Sequence, residues 1–226
     1  MNIRKVQEDS MNKEVNQLEY QIPFSQEEYL QTLAHNHFRE REFSECLKIE
    51  RELVLSDIRA KAWYRREQET KILVVMTLGQ VFDDLAERYE RKEELLLAYA
   101  VECLAMGLLK KSYDIFRKVL YEREGKYPGE YHFLNDKEMI NMSEILEEMG
   151  IGEVRCNEAL ALIPQKTVVF LTELSNEKKG GCIRLCENCS QINCPNRMRI
   201  AEEGPVLNYG YQRILGNGGN EFWKKD

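Results

Sequence analysis

Four cysteines fall within thirteen residues near the C-terminus: Cys182, Cys186, Cys189 and Cys194, with spacers of three, two and four residues and Pro195 behind the last. Spacers this short keep every sulfur within reach of one point, so four thiolates can converge on a single metal centre. Neither aspartate nor histidine lies inside the segment. The ligand set is therefore all sulfur, which suits structural zinc or an iron–sulfur cluster; thiols without metal are the third reading. Zinc knuckles usually pair two turns with two-residue spacers, and only one such spacer is present here, which favours the cluster. The other three cysteines, Cys46, Cys103 and Cys156, stand among apolar neighbours and read as core residues.

The proline after the last cysteine is similar to bacterial ferredoxin runs, although the spacers differ. The first three cysteines also share the spacing of radical enzymes that cleave S-adenosylmethionine. Those enzymes place the motif before most of a large α/β barrel, and too little chain follows Cys189 to build one, so that reading is rejected. Lys178, Lys179, Arg184, Arg197 and Arg199 flank the cysteines. From Asn176 to Asp226 there are eight Lys or Arg against six Asp or Glu, a net of +2 in a chain of net −7, so the remainder carries −9. A basic surface there can offset thiolate charge and guide an acidic partner; a solvated loop with ordinary lysines is the plainer alternative.

Two further places carry chemistry. Glu102 is the only charge between Leu95 and Leu109, and a lone carboxylate in an apolar helix must be paired, protonated or facing a cavity, unless it lies on a narrow exposed stripe. The segment Gly125 to Asn135 (GKYPGEYHFLN) reads as a loop with Pro128-Gly129 as its turn. In it Lys126 can meet a carboxylate, Tyr127 and Tyr131 can flank a flat ring, and Gly129 lets backbone come close to a ligand. A plain surface turn is the alternative. The three histidines, His35, His37 and His132, show no ligand spacing.

These residues need elements to position them. The chain has 226 residues, 43% of them hydrophobic and 31% charged, enough apolar material for one medium domain with a small appendage. Its acidic balance argues against a general nucleic-acid binder. The first residues have no apolar signal region, and the longest apolar run is too short and interrupted to span a bilayer, so the expectation is a cytoplasmic protein with no membrane partner. Residues 1–24 lack a sustained period and are expected as a flexible arm. Ser25-Gln-Glu-Glu28 is a capping-box signature opening a helix. A second, irregular helical stretch is expected over Ser44 to Gln68. Lys71 to Thr77 (KILVVMT) reads as a buried strand. Helices are expected over Gln80 to Arg91, over Glu93 to Glu122, and from Asp136 to the stop at Gly150. Two strands follow near Val154–Asn157 and Thr167–Leu174, and residues 175–226 form the cysteine-bearing extension and tail.

Several local features fall in a recognisable order: the strand ending in Thr77-Leu78-Gly79, the helix with Ala98-Tyr-Ala-Val-Glu102, and the Pro128-Gly129-Glu-Tyr131 loop. Met149-Gly-Ile151 and Leu162-Ile-Pro-Gln-Lys166-Thr167 follow. Together, over roughly Ser44 to Leu174, they resemble the reactivation domain of cobalamin-dependent methionine synthase, and more closely its free-standing relatives. The resemblance implies an α+β fold over residues 25–174, with helices packed on a central twisted, largely antiparallel sheet; the small C-terminal Cys-rich metal-binding knuckle is expected from the cysteine spacing alone. It implies binding of S-adenosylmethionine and a partner that is a corrinoid-carrying protein or cobalamin-dependent methyltransferase. There, inactive cob(II)alamin is reduced and trapped by methylation. The chain would be a redox or binding accessory, with Glu102 and Lys126, Tyr127, Pro128, Gly129, Glu130 and Tyr131 as cofactor-binding residues and the four cysteines as an electron relay. The family's ligand loop reads Arg-x-(Ser/Ala)-Pro-Gly-Tyr. Here Gly125 stands at the arginine and Glu130 at the tyrosine, with Lys126 and Tyr131 each one residue later.

Overall fold

The computed structural model describes residues 14–53, 58–134, 139–177, 211–215 and 221–225. In chain order the elements are β1 (Val15–Gln21), α1 (Gln26–His35), α2 (Glu40–Cys46), α3 (Lys48–Glu52), β2 (Arg59–Arg66), β3 (Lys71–Thr77), α4 (Val81–Arg91) and α5 (Leu95–Glu124). There follow β4 (Tyr127–Pro128), β5 (His132–Phe133), α6 (Met142–Glu148), β6 (Arg155–Cys156), β7 (Leu162–Ile163), β8 (Thr167–Ser175), β9 (Tyr211–Leu215) and β10 (Glu221–Lys225). The class is α+β, as expected. Among the described residues no helix is long and apolar enough to cross a membrane. The four-cysteine segment lies outside the described residues.

The chain divides into two compact units. The first gathers Met1–Gln21, Arg59–Asp83 and Ile115–Lys179. It holds a six-stranded sheet in the order β1-β2-β3-β8-β4, with β5 also on β8, and every pairing is antiparallel. β3 is buried from Ile72 to Thr77, which is why its sequence is a continuous apolar run and not an alternating one. On one face Trp63, Val75 and Val169 stand in register across three strands and join Leu73. They pack with Met142, Leu146 and Met149 of the α6 segment and with Ile151 and Val154 beyond it. Tyr64, Val74 and Phe170 form the corresponding row of the opposite face. Phe116 of α5 meets Phe170 edge-on, with centroids 6.0 Å apart.

Two expectations are corrected here. Val15–Gln21, inside the segment expected as an arm, is the edge strand of the sheet, with Leu18 opposite Ala62 and Tyr20 opposite Ala60. Its buried Leu18 and Tyr20 alternate with polar residues, a period too brief to stand out in an otherwise polar stretch. The helical stretch expected to reach Gln68 ends at Glu52, and Arg59–Arg66 is a strand. Its period of two is hidden because Arg65, although charged, is buried and held by Glu67 and Glu148 at 2.6 and 2.8 Å. The helix expected from Asp136 begins outside the described residues and, after a turn at 140–141, runs over Met142–Glu148. Gly150, at φ +66°, ends the α6 segment in the left-handed conformation that favours glycine.

The second unit gathers Ile22–Ile58, Asp84–Asp114 and Gly180–Asp226. In it α1 begins with the full capping box: Glu28 N donates to Ser25 Oγ at 3.2 Å, and Ser25 N donates to the Glu28 carboxylate at 2.8 Å. Glu28 also pairs with Lys111 of α5, whose ammonium lies 5.5 Å from the Phe24 ring centroid. α1 and α5 come close at Gly107, where a Cβ would stand 3.2 Å from Thr32 Oγ1. Tyr29 donates to Cys46 O at 3.1 Å, and Tyr89 donates to Glu52 at 2.5 Å. β9 and β10 pair antiparallel.

The Glu28 knot generates a pH prediction. Burial alone raises its carboxyl, but the hydrogen bonds from Lys111 and Ser25 and the Lys111 charge outweigh it and hold the group below its ordinary 4.5. A depressed folded-state value contributes stability that is present above about pH 4.5 and lost as pH falls through the folded value. Thermal melts between pH 7 and 3 should therefore show a smaller acid-induced fall for Glu28→Gln than for wild type. Parallel curves would show that the knot contributes nothing through this proton.

Candidate functional site

The segment Lys126 to Tyr131 begins where α5 ends, and Gly125 makes that end possible at φ +66°, its N–H donating to Tyr121 O at 2.8 Å. The helix terminus is pinned to the sheet. Buried Tyr64 of β2 donates to Glu124 at 2.5 Å, and Arg66 pairs with the same carboxylate. Burial, then the hydrogen bond to Glu124, holds the Tyr64 phenol above its ordinary range, so it remains a donor. From this anchor the chain enters the sheet. Tyr127 and Pro128 pair with Ser175 and Leu174, and Gly129 N donates to Glu173 O at 2.8 Å. His132 and Phe133 then pair with Leu171 and Phe170.

What was read as an open loop is thus laced along the free edge of β8. Pro128 and Tyr131 are buried, Lys126, Tyr127 and Gly129 half-buried, and Glu130 exposed. Tyr131 stacks on Phe170 with centroids 4.2 Å apart and meets Phe116 at 6.4 Å. Tyr127 stacks on Tyr121 at 4.0 Å and 9° between planes. Each tyrosine therefore already has one face covered by a protein ring. The glycine requirement has a local cause too: a Cβ at Gly129 would stand 3.2 Å from the Glu173 carbonyl oxygen.

Glu102 belongs to the second unit, the loop to the first. On α5, Leu95 and Tyr99 are exposed and Glu102 and Met106 half-buried, a spacing of four, three and four residues that marks one open stripe. Leu97, Ala98, Val101, Leu104, Ala105 and Leu108 fill the rest of the circumference. Glu102 sits on the stripe.

A second set of residues joins the turn after β3 to the turn before β8. Thr77 and Thr167 share a hydroxyl hydrogen bond at 2.8 Å, Gly79 N donates to Thr77 Oγ1 at 3.0 Å, and Leu78 N donates to Lys166 O at 3.1 Å. Gln165 N donates to Asp83 Oδ2 at 2.8 Å, across 82 residues of sequence. Thr77 and Lys166-Thr167, which carry part of the resemblance, are brought together here, as turn residues that align β3 with β8. Asp83 and the Tyr64–Glu124–Arg66 anchor are not legible in the sequence, because each acts through a partner distant along the chain, and Tyr121, whose partner Tyr127 lies six residues on, is marked by no local motif. Among the described residues no group of three or more His, Cys, Asp or Glu side chains is placed to hold a metal.

No protein-family model and no curated protein matches the chain. Among solved structures, the chain is similar to the crystal structure of the MetH reactivation domain bound to AdoHcy, at 11% identity and a TM-score of 0.48, covering 74% of this chain and 80% of that one.

The contact at Gly129 yields a prediction. Replacing glycine by alanine at an unstrained position usually stabilises slightly, by restricting the unfolded chain. Here the new methyl presses on the backbone of a strand bonded along both edges, which has little room to give. Gly129→Ala should lower stability by about 1 kcal/mol in urea unfolding, and Gly129→Val by more. An unchanged or raised midpoint would show that β4 shifts away from β8 at little cost.

Proposed function

We propose that the chain is an accessory protein in the reductive reactivation of a corrinoid methyltransferase system, binding S-adenosylmethionine and facing a corrinoid-carrying partner. The observation that supports it most is a convergence within the first unit. Sequence features that carry the resemblance are distant along the chain, yet they meet on β8: Thr77 against Thr167, Leu78 against Lys166, and Pro128-Gly129 against Leu174 and Glu173. An accidental string of short motifs has no reason to assemble around one strand. In this reading Lys126 would meet the carboxylate of the methyl donor, as a single mobile charge in place of a forked guanidinium, and recognition would be correspondingly less directional. Cys182, Cys186, Cys189 and Cys194 would hold an iron–sulfur cluster, which supplies one-electron chemistry when bound.

The second reading is an interaction protein that keeps the fold, binds zinc through the same four thiolates and takes no S-adenosylmethionine. Its support is the loop itself, which lacks the arginine, exposes Glu130 and stacks Tyr131 on Phe170.

Two measurements separate them. After anaerobic purification the first reading expects a brown protein with iron and acid-labile sulfide, both lost in Cys186→Ser and Cys189→Ser; colourless protein with stoichiometric zinc supports the second. Calorimetric titration with S-adenosylmethionine should show weak binding alone and tighter binding beside a cob(II)alamin-loaded corrinoid protein. Heat in neither condition would remove the methyl donor from the function.

A further inference from the structure

The stack of Tyr121 on Tyr127 is unusual for a surface pair. Its rings are nearly parallel and 4.0 Å apart, whereas aromatic pairs favour offset or edge-on contacts with centroids at about 4.5–7 Å. Tyr121 nevertheless remains 40% exposed, so the outer part of the stack faces solvent. Arg117, one helical turn earlier on α5, is buried. Lys126, half-buried, precedes Tyr127, and exposed Glu130 follows three residues on. The exposed part of an aromatic pair thus stands beside one cationic and one anionic residue, Lys126 and Glu130. That combination matches a small molecule with a planar heteroaromatic ring and a side chain of mixed charge.

We propose that Tyr121 and Tyr127 form a two-ring platform on which an adenine ring stacks as a third layer, with Tyr121 as a ligand-contacting residue. The inference rests on the reading above and deepens it, because it names the wall of the site and the part of the ligand that the wall takes. Stacking uses the ring face and not the hydroxyl. The Tyr121 hydroxyl also hydrogen-bonds Tyr127, so Tyr121→Phe removes that bond but keeps the ring and should weaken affinity by no more than about three-fold, while Tyr121→Leu and Tyr121→Ala should each weaken it about ten-fold or more. The test is calorimetric titration of the full chain with S-adenosylmethionine and with adenosine, beside the cob(II)alamin-loaded corrinoid protein, with thermal melts of every variant. Tyr121→Leu keeps bulk over Tyr127 and decides the matter if Tyr121→Ala does not fold. Loss in Leu with retention in Phe, for both ligands, supports the platform. Wild-type affinity in the Leu variant overturns it and leaves the functional reading standing. No binding by the wild-type chain overturns that reading, and the platform with it.

Discussion

Strand β8 is hydrogen-bonded to β3 from Thr167 through Glu173 on one edge, and to β5 and β4 on the other. A strand held on both edges has little freedom to slip, because a one-residue shift would turn every side chain to the opposite face. Here both faces carry core, Val169 toward the α6 segment and Phe170 toward Phe116. The Thr77–Thr167 hydroxyl pair fixes the register at its first rung. That register decides where Gly129 finds its acceptor, which ring Tyr131 stacks on, and how Tyr127 comes to lie at the strand's end.

How far the sequence discloses this arrangement depends on the range of the determining contact. Ser25 and Glu28 are three residues apart, so their capping box is legible directly and forms as read. β3 announces itself because burial on both faces leaves a continuous run of apolar residues, rich in β-branched ones. β2 does not, since its charged residues suggest solvent until Glu67 and Glu148 are seen to neutralise Arg65. β1 fails for a related reason: a strand that buries only two side chains carries too little periodic signal to distinguish itself from a polar arm. The candidate loop is the instructive mixture. Its turn residues and its place after the long helix are local facts, but its lacing to β8 depends on a strand about forty-five residues downstream.

The same lacing changes what the loop's residues can do. Gly129 is needed for approach to a protein carbonyl, so its presence is explained by the fold whether or not a ligand comes near. Tyr131 is needed to cover Phe170. Side chains with work left over are those the packing does not consume: Lys126, Glu130, the outer ring of the Tyr121–Tyr127 stack. A ligand site on this edge would draw on them.

Redox chemistry, if the chain performs it, is confined in a similar way. Cys46 and Cys103 are buried, and desolvation pushes their thiols up to about 12 and about 11, with the Cys156 thiol raised by the same cause. A thiol in that state is protonated at neutral pH, neither a good nucleophile nor a ready ligand, because both roles require the thiolate. Cys46 and Cys103 are core residues in their chemistry as well as in their packing, whereas Cys156, expected as a third, is only partly buried at the margin of the core. The four clustered cysteines differ in composition: lysines and arginines lie close in sequence, and charge of that sign lowers the cost of holding several thiolates together. The chain thus separates its sulfur into two populations, one kept neutral by a low-dielectric interior and one set among cations. The metal centre proposed above would draw on the second.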